Sequence, residues 1–342
     1  MANQLHRGEW LWLCREGNEA DLVEELTAVD RRAGASLLAS SLVRSGRRPE
    51  QRGRPVELAF ARQVLPVAAI ESATSPDQLG QAIAAWAIKL EVGHLALQVF
   101  TPDSEVGNRW AAQASRAEEV ATRRLEQSHR RVLPPAELAG RDRLVQACLI
   151  APDRAALGAL AIGASLSLAP GGRRRFSAPR EAPSRAAAKL LEAIDWLGRQ
   201  PEPGELCIDL GAAPGGWSHV LLDLRARVLA VDPARLAPSL ARHKRLHHIQ
   251  CSAFEYLPEE PADWLFCDMA WRPLEVAALL AKWGRQGAAR FLIANIKLPM
   301  KKKVDLIRRV KEILATGGWR DLRVRQLYHD RDEVTLGAWR IG

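Results

Sequence analysis

Two lysines and two carboxylates, Lys189, Asp268, Lys297 and Glu333, are spread through the second half of a chain of 342 residues, each set against an apolar run. If the four met, the carboxylates would hold the ammonium groups, and the set could orient a hydroxyl nucleophile and take its proton. Burial would draw a lysine pKa down towards use as a base, while neighbouring carboxylates would hold it up. Spacing leaves open which prevails, and whether the four form a reaction centre or a structural ion-pair network. Lys297, inside Phe291-Leu-Ile-Ala-Asn-Ile-Lys297-Leu-Pro-Met, is expensive to bury without such partners.

A second stretch able to do chemistry is Cys207-Ile208-Asp209-Leu210-Gly211-Ala212-Ala213-Pro214-Gly215-Gly216-Trp217. Residues 206–210 have the length and content of a buried strand, and a small-residue turn separates them from the amphipathic segment 217–224. In an open parallel α/β sheet such a turn lies at the carboxyl ends of the strands, where cofactors bind. Against the dinucleotide fingerprint G-x-G-x-x-G, Gly211 and Gly216 fit, but Ala213 replaces the middle glycine and Pro214 follows it. A methyl group then stands where pyrophosphate would approach, and Pro214 has no N–H to offer a phosphate. S-adenosylmethionine, which carries no phosphate, suits the turn better. Asp209 and the turn, with Gly215 and Gly216, would receive its methionine part. Asp232, twenty-one residues after Gly211 and at the end of the next apolar run, would take the ribose hydroxyls.

The elements that must position these groups follow from periodicity. Strand-like runs at 228–231, 247–251, 264–269 and 291–298 alternate with helical or loop segments. Pro183-Ser184 reads as the cap of a helix over 185–197 that carries Lys189, and 304–314 reads as a basic amphipathic helix. Runs at 322–327 and 333–340 read as a terminal antiparallel pair. The fold class is therefore α/β: a Rossmann-like sheet finished by a hairpin, with Asp268 and Lys297 at neighbouring strand ends facing one crevice.

The first half reads as a smaller α+β region. A strand at 10–14 and a helix over 19–29 open it, a loop at 45–55 follows, and 56–67 could hold a strand. Ser75-Pro76-Asp77 starts a helix over 78–90, followed by a strand at 95–100. A long charged helix spans 108–131, and strands at 145–151 and 157–162 flank a turn. The apolar stretch 155–170, broken by glycines and serines, reads as a strand pair. A Pro-, Gly- and Arg-rich segment marks a linker. The expected organisation is 1–74 as an N-terminal subdomain, 75–169 as an RNA-binding region, 170–183 as a basic linker and 184–342 as the catalytic domain.

A formal net charge of +9, carried mostly by arginine, points to a polyanionic partner, and nucleic acid fits the guanidinium fork best. Lys301, Lys302, Lys303, Arg308, Arg309 and Lys311 place part of that charge beside Lys297 and could guide a phosphate backbone. His329 reads as a turn or RNA-contact residue. His243, His247 and His248 lack metal-ligand spacing with the cysteines, so no metal is expected. Five scattered cysteines read as reduced core residues. With no signal peptide and no apolar stretch of ~20 residues, a cytoplasmic protein with no membrane association is expected, and a monomer.

Asp209-Leu-Gly-Ala-Ala-Pro-Gly-Gly-Trp217 resembles the cofactor motif of the FtsJ-like family of S-adenosylmethionine-dependent RNA 2′-O-ribose methyltransferases. Lys189, Asp268, Lys297 and Glu333 match that family's Lys-Asp-Lys-Glu tetrad in order. Within the family, the likeness is to members that modify a cytidine of 23S ribosomal RNA. It is carried by Ala182-Pro-Ser-Arg185, Cys267-Asp268-Met269, Lys297-Leu-Pro-Met-Lys-Lys302 and Arg325-Gln-Leu-Tyr-His-Asp-Arg331 leading to Glu333-Val-Thr335. Leu13-Cys-Arg-Glu-Gly17 and Phe60-Ala-Arg-Gln63 are similar to their N-terminal region, which contains an RNA-binding THUMP domain.

The resemblance implies that Lys297 accepts the proton of the ribose 2′-hydroxyl while Asp268, Lys189 and Glu333 hold the hydroxyl and balance charge. It implies cofactor contacts at Ser184, Ala213, Pro214, Gly215, Gly216, Asp232 and Asp268. It also implies 23S ribosomal RNA, or a precursor of the large ribosomal subunit, as partner. Ser252 stands where those members carry an acid at the adenine, and its hydroxyl can still donate or accept a hydrogen bond. Two other readings are a non-catalytic RNA-binding ribosome-assembly protein, and a methyltransferase acting on a base or a protein.

Overall fold

In a computed structural model, which describes residues 4–51 and 54–340, the chain divides into two units at residues 174 and 175. The first contains β1 (Trp10–Leu13), α1 (Glu19–Val29), β2 (Ser36–Ala39), β3 (Leu42–Ser45), β4 (Glu50–Gln51), β5 (Arg54–Pro55), β6 (Gln63–Pro66) and β7 (Ala69–Ser72). It continues with α2 (Pro76–Ile88), β8 (Leu95–Phe100), α3 (Glu105–Arg109), α4 (Ala111–Gln127), β9 (Arg143–Ala151) and β10 (Arg154–Leu160).

These strands make two four-stranded sheets, in the orders β2-β3-β1-β6 and β7-β10-β9-β8. The second buries Leu95, Val145 and Leu157 beneath Leu79 and Ile83 of α2 and Ala114 and Ala117 of α4. Ser75 caps α2 by accepting a hydrogen bond from the N–H of Gln78, as its position before Pro76 dictates.

Several elements depart from expectation. The boundary expected between residues 74 and 75 does not separate two cores: β7 pairs with β10, and Leu13, Leu65, Phe100 and Cys148 share one apolar cluster. The long charged helix breaks at Trp110 into α3 and α4. Beyond Leu160 the expected strand pair gives way to 3₁₀ turns at Ile162–Ala164 and Pro170–Gly172. Gly171 and Gly172 are buried, so the segment that opens the expected linker belongs to the packed first unit. The short hairpin β4–β5 occupies the expected loop, of which Arg52 and Gly53 lie outside the described residues.

The second unit contains α5 (Ala187–Leu197), β11 (Leu206–Leu210), α6 (Gly216–Asp223), β12 (Arg227–Val231), β13 (Leu246–Ile249) and β14 (Ala262–Cys267). It ends with α7 (Pro273–Arg285), β15 (Ala289–Lys297), α8 (Lys303–Ala315), β16 (Arg320–Arg325) and β17 (Glu333–Trp339). The sheet order is β13-β12-β11-β14-β15-β17-β16. The first five strands are parallel, and β17 runs antiparallel to β15 and to β16. Strand order reverses at β11, between β12 and β14, so the crevice beyond their carboxyl ends is the ligand site that such a sheet provides. Leu190 and Ala193 of α5 and Val220 and Leu221 of α6 pack with Cys207, Val228, Phe266 and Ile293 of the strands, which fixes α5 against the sheet. Ser184 does not cap α5, which begins after Ala186 without a side-chain cap.

Candidate active site

The turn after β11 is shaped by close packing. Gly211 has φ +75°, and a Cβ there would come 2.6 Å from Cγ of Met269. A side chain would be strained in conformation and blocked in space. The turn borders a crevice of about 390 Å³ lined by Gly211, Ala213, Asp232, Ser252, Asp268 and Trp271, among others. Asp232 accepts hydrogen bonds from the N–H of Ala213 (3.0 Å) and of Ala234 (2.7 Å), which hold its carboxylate at the rim. Trp271 is half exposed, its ring 5.8 Å from that of Phe254.

Not every residue assigned to the cofactor reaches this crevice. Asp209 is buried behind the turn, 1 % exposed, and accepts from the Ser218 hydroxyl at 2.7 Å. Burial pushes its pKa up to about 7 against that hydrogen bond. Its place is structural, holding α6 to β11. The Ser184 hydroxyl is buried without a hydrogen-bond partner and lies where a side chain on Gly216 would stand. Pro183 and Leu240 close on Gly215.

At the neighbouring strand ends the four charged groups meet. Lys297 ends β15 and lies directly opposite Glu333, which starts β17, and the two side chains are hydrogen-bonded. Lys189, on the first turn of α5, pairs with the other oxygen of Glu333 and lies 3.7 Å from Asp268. Burial opposes the charged form of Lys189, but Asp268 and Glu333 outweigh it and raise its pKa above the ordinary lysine value. Burial likewise opposes ionisation of Glu333, and hydrogen bonds from both lysines more than offset it, so its pKa falls below the usual glutamate value. The competition that spacing left open is thus won by pairing at these two residues. Lys297 has the open position, with 41 % of its side chain exposed against 17 % for Lys189 and 2 % for Glu333.

Behind the four lies a polar network that the sequence reading missed. Asn295 donates to Asp268 at 3.2 Å, and Thr335, directly across from Asn295, has its hydroxyl 2.9 Å from the Asn295 carbonyl oxygen and 3.0 Å from Asp330. Glu192, one turn along α5 from Lys189, accepts from the N–H groups of Tyr328 and His329 at 2.7 and 2.8 Å. A signal existed: Asn295 is two residues from Lys297 and Thr335 two from Glu333, the spacing that puts strand side chains on one face. His329 accepts from the N–H of Phe176 at 2.9 Å, a turn role. Arg308 is engaged by Asp305 and Glu312 on its own helix, whereas Lys301 and Lys302 are exposed.

Residues 182–313 match the model of the FtsJ-like methyltransferases. A protein of Alkalilimnicola ehrlichii named ribosomal RNA large subunit methyltransferase M is 35% identical, over 98% of this chain and 95% of its own length. The chain belongs to the ribosomal RNA large subunit methyltransferase M family. A second member, from Xylella fastidiosa, is 37% identical over 82% of this chain and 81% of its own. Among solved structures, the Methanococcus jannaschii fibrillarin pre-rRNA processing protein aligns with a TM-score of 0.38 and 17% identity, over 58% of this chain and 83% of that one, too distant to carry an argument. Glu333 lies beyond the span matched by the FtsJ-like model, so its membership of the cluster rests on the β15–β17 register.

The crevice suits the S-adenosylmethionine that this family requires. It places carboxylates at Asp232 and Asp268 beside an exposed indole, with a turn too tight for side chains at Gly211 and an unpartnered buried hydroxyl at Ser184. Ser252 lines it with a hydroxyl 3.3 Å from the N–H of Phe254.

Proposed function

We propose that this chain methylates a ribose 2′-oxygen of large-subunit ribosomal RNA, at a cytidine, with S-adenosylmethionine as donor. The observation that carries the reading is the convergence of Lys189, Asp268, Lys297 and Glu333 beside the crevice, with Asp268 belonging to both. When bound, S-adenosylmethionine supplies a methyl group on a sulfonium that leaves as a neutral thioether. Asp232 would hold its ribose, the Gly211–Ala213 turn its methionine part, and Trp271 with Ser252 its adenine end.

Lys297, the most exposed of the four, receives the 2′-hydroxyl proton as the oxygen bonds to the methyl carbon. Lys189 and Glu333 keep the site balanced: Glu333 bridges both ammonium groups, so neither lysine drifts from the strand ends. Asp268, held by Asn295 and facing Lys189, aligns the hydroxyl. Positioning of this kind supplies much of a displacement's rate. The first unit would contribute RNA grip as a THUMP-like region, and the net positive charge of +9 supports a polyanionic substrate.

Radiolabelled S-adenosylmethionine and 23S ribosomal RNA lacking the modification test the reading when the label is mapped by nuclease digestion. Label at a 2′-O-methylcytidine is expected. Label on a nucleobase, or tight RNA binding without transfer to naked RNA or to assembly intermediates, would refute it.

A further inference from the structure

Asp330 lies outside the four charged groups, yet it is fully buried and reaches them through side chains alone. Its two oxygens lie 3.2 and 3.0 Å from the Thr335 hydroxyl, that hydroxyl lies 2.9 Å from the Asn295 carbonyl oxygen, and the Asn295 amide nitrogen donates to Asp268 at 3.2 Å. The chain of contacts therefore runs Asp330, Thr335, Asn295, Asp268. Thr335 and Asn295 are cross-strand partners, so the sheet itself holds the middle of it.

A hydroxyl has one proton to donate. Asn295 must point its NH₂ at Asp268, because its oxygen there would face a carboxylate. Its oxygen then faces Thr335 and takes that residue's proton. The contact between Thr335 and Asp330 is left without a hydrogen unless Asp330 supplies one. One oxygen of Asp330 already accepts from the N–H of Leu327 at 2.9 Å, and the other is placed to carry the proton.

If the asparagine were turned over and the chain reversed, the proton would sit on Asp268 instead. Lys189, 3.7 Å from Asp268, favours the ionised form at that end. The charged groups acting on Asp330 are Glu333 on β17 and Glu192 and Lys189 on α5, two carboxylates against one ammonium. Burial, with those carboxylates, pushes its pKa up to about 8 against the Leu327 and Thr335 hydrogen bonds.

We propose that Asp330 is a positioning residue that carries a proton and, through Thr335 and Asn295, fixes the Asp268 carboxylate in the methyl-transfer centre. The proposal rests on the reading of that centre given above. Direction along the chain is what matters: a protonated acid at its head makes every donor meet an acceptor, so Asp268 stays ionised and turned towards Lys189 and the substrate hydroxyl.

Infrared difference spectroscopy of the full chain at about pH 6 reads the carbonyl stretch of a protonated acid directly, because that pH lies between the ordinary and the raised aspartate pKa. A band present in the wild type and lost in Asp330→Asn is expected. Methyl transfer should stay within about threefold of wild type in Asp330→Asn, whose amide donates the same bond. It should fall about ten- to a hundredfold in kcat in Thr335→Val, with KM for S-adenosylmethionine little changed, and recover in Thr335→Ser.

A band that survives Asp330→Asn and vanishes in Asp268→Asn would overturn the proposal. So would an Asp330→Asn variant as slow as Thr335→Val. A wild-type protein that moved no methyl group to ribosomal RNA would overturn the functional reading instead, and the band alone would then decide where the proton sits.

Discussion

Glu333, the first residue of β17, lies directly across the sheet from Lys297, the last residue of β15. The antiparallel register brings together a base and an acid that are 36 residues apart. A slip of one residue would turn Glu333 to the other face of the sheet, away from both lysines. The hairpin that ends the chain is therefore part of the reaction centre, and Lys189 on α5 can join only because the same carboxylate accepts from it.

Lys297→Ala is expected to lower methyl transfer by about 10²–10⁴-fold, the range for removing a general base. Binding of S-adenosylmethionine, followed by calorimetry, should change little, because Lys297 does not line the crevice. A variant that bound the donor poorly would place Lys297 in the cofactor site instead.

Glu333 gives an acid limb to stability. Its folded pKa lies below the ordinary glutamate value, so between the two values the unfolded chain binds more protons. Its stabilisation is present above the unfolded pKa and is lost as pH falls through the folded one. Glu333→Gln should flatten that limb in urea melts below about pH 4.5. At neutral pH it should cost about 3 kcal/mol, since two ammonium groups lose the carboxylate they share.

Asp330 has the opposite sign. Its folded pKa is raised to about 8, so between the unfolded value near 4 and that value the folded chain holds the extra proton. The cost of the buried group therefore grows as pH rises through this window and is complete above it. Asp330→Asn removes that cost, and its Tm relative to wild type should rise from about pH 5 to pH 8, by roughly 2–4 °C for each kcal/mol recovered. A Tm difference constant across this window would show that Asp330 does not titrate there.

Trp271→Ala is expected to weaken S-adenosylmethionine binding about tenfold, as loss of an aromatic face against a base does, with kcat at saturating donor nearly unchanged. The indole lines the crevice half exposed and is anchored by its N–H donating to Glu275 at 2.7 Å. Unaltered affinity would remove it from the adenine end.

Local pattern was enough for the parallel sheet, the Gly211 turn and the four charged residues. Each strand of the second unit is a short apolar run, and each charged residue stands at or beside such a run. Alternation of short apolar runs with helical segments dictates the doubly wound order, and that order puts Asp232, Asp268 and Lys297 at one edge. Even the dinucleotide reading was excluded locally, by Ala213 and Pro214.

What tertiary structure decided was which polar residues share a space. Asp209 was expected at the cofactor, but its carboxylate is turned under the turn to Ser218, since a side chain in a strand points to one face or the other and only the packed helices say which is wet. Asn295, Thr335 and Asp330 passed unnoticed because nothing local distinguishes a buried polar residue with partners from one on the surface. Their partners come from β14, β15, the turn before β17 and β17 itself, and the hydrogen bonds exist only once α5 has closed over that face and shut out water.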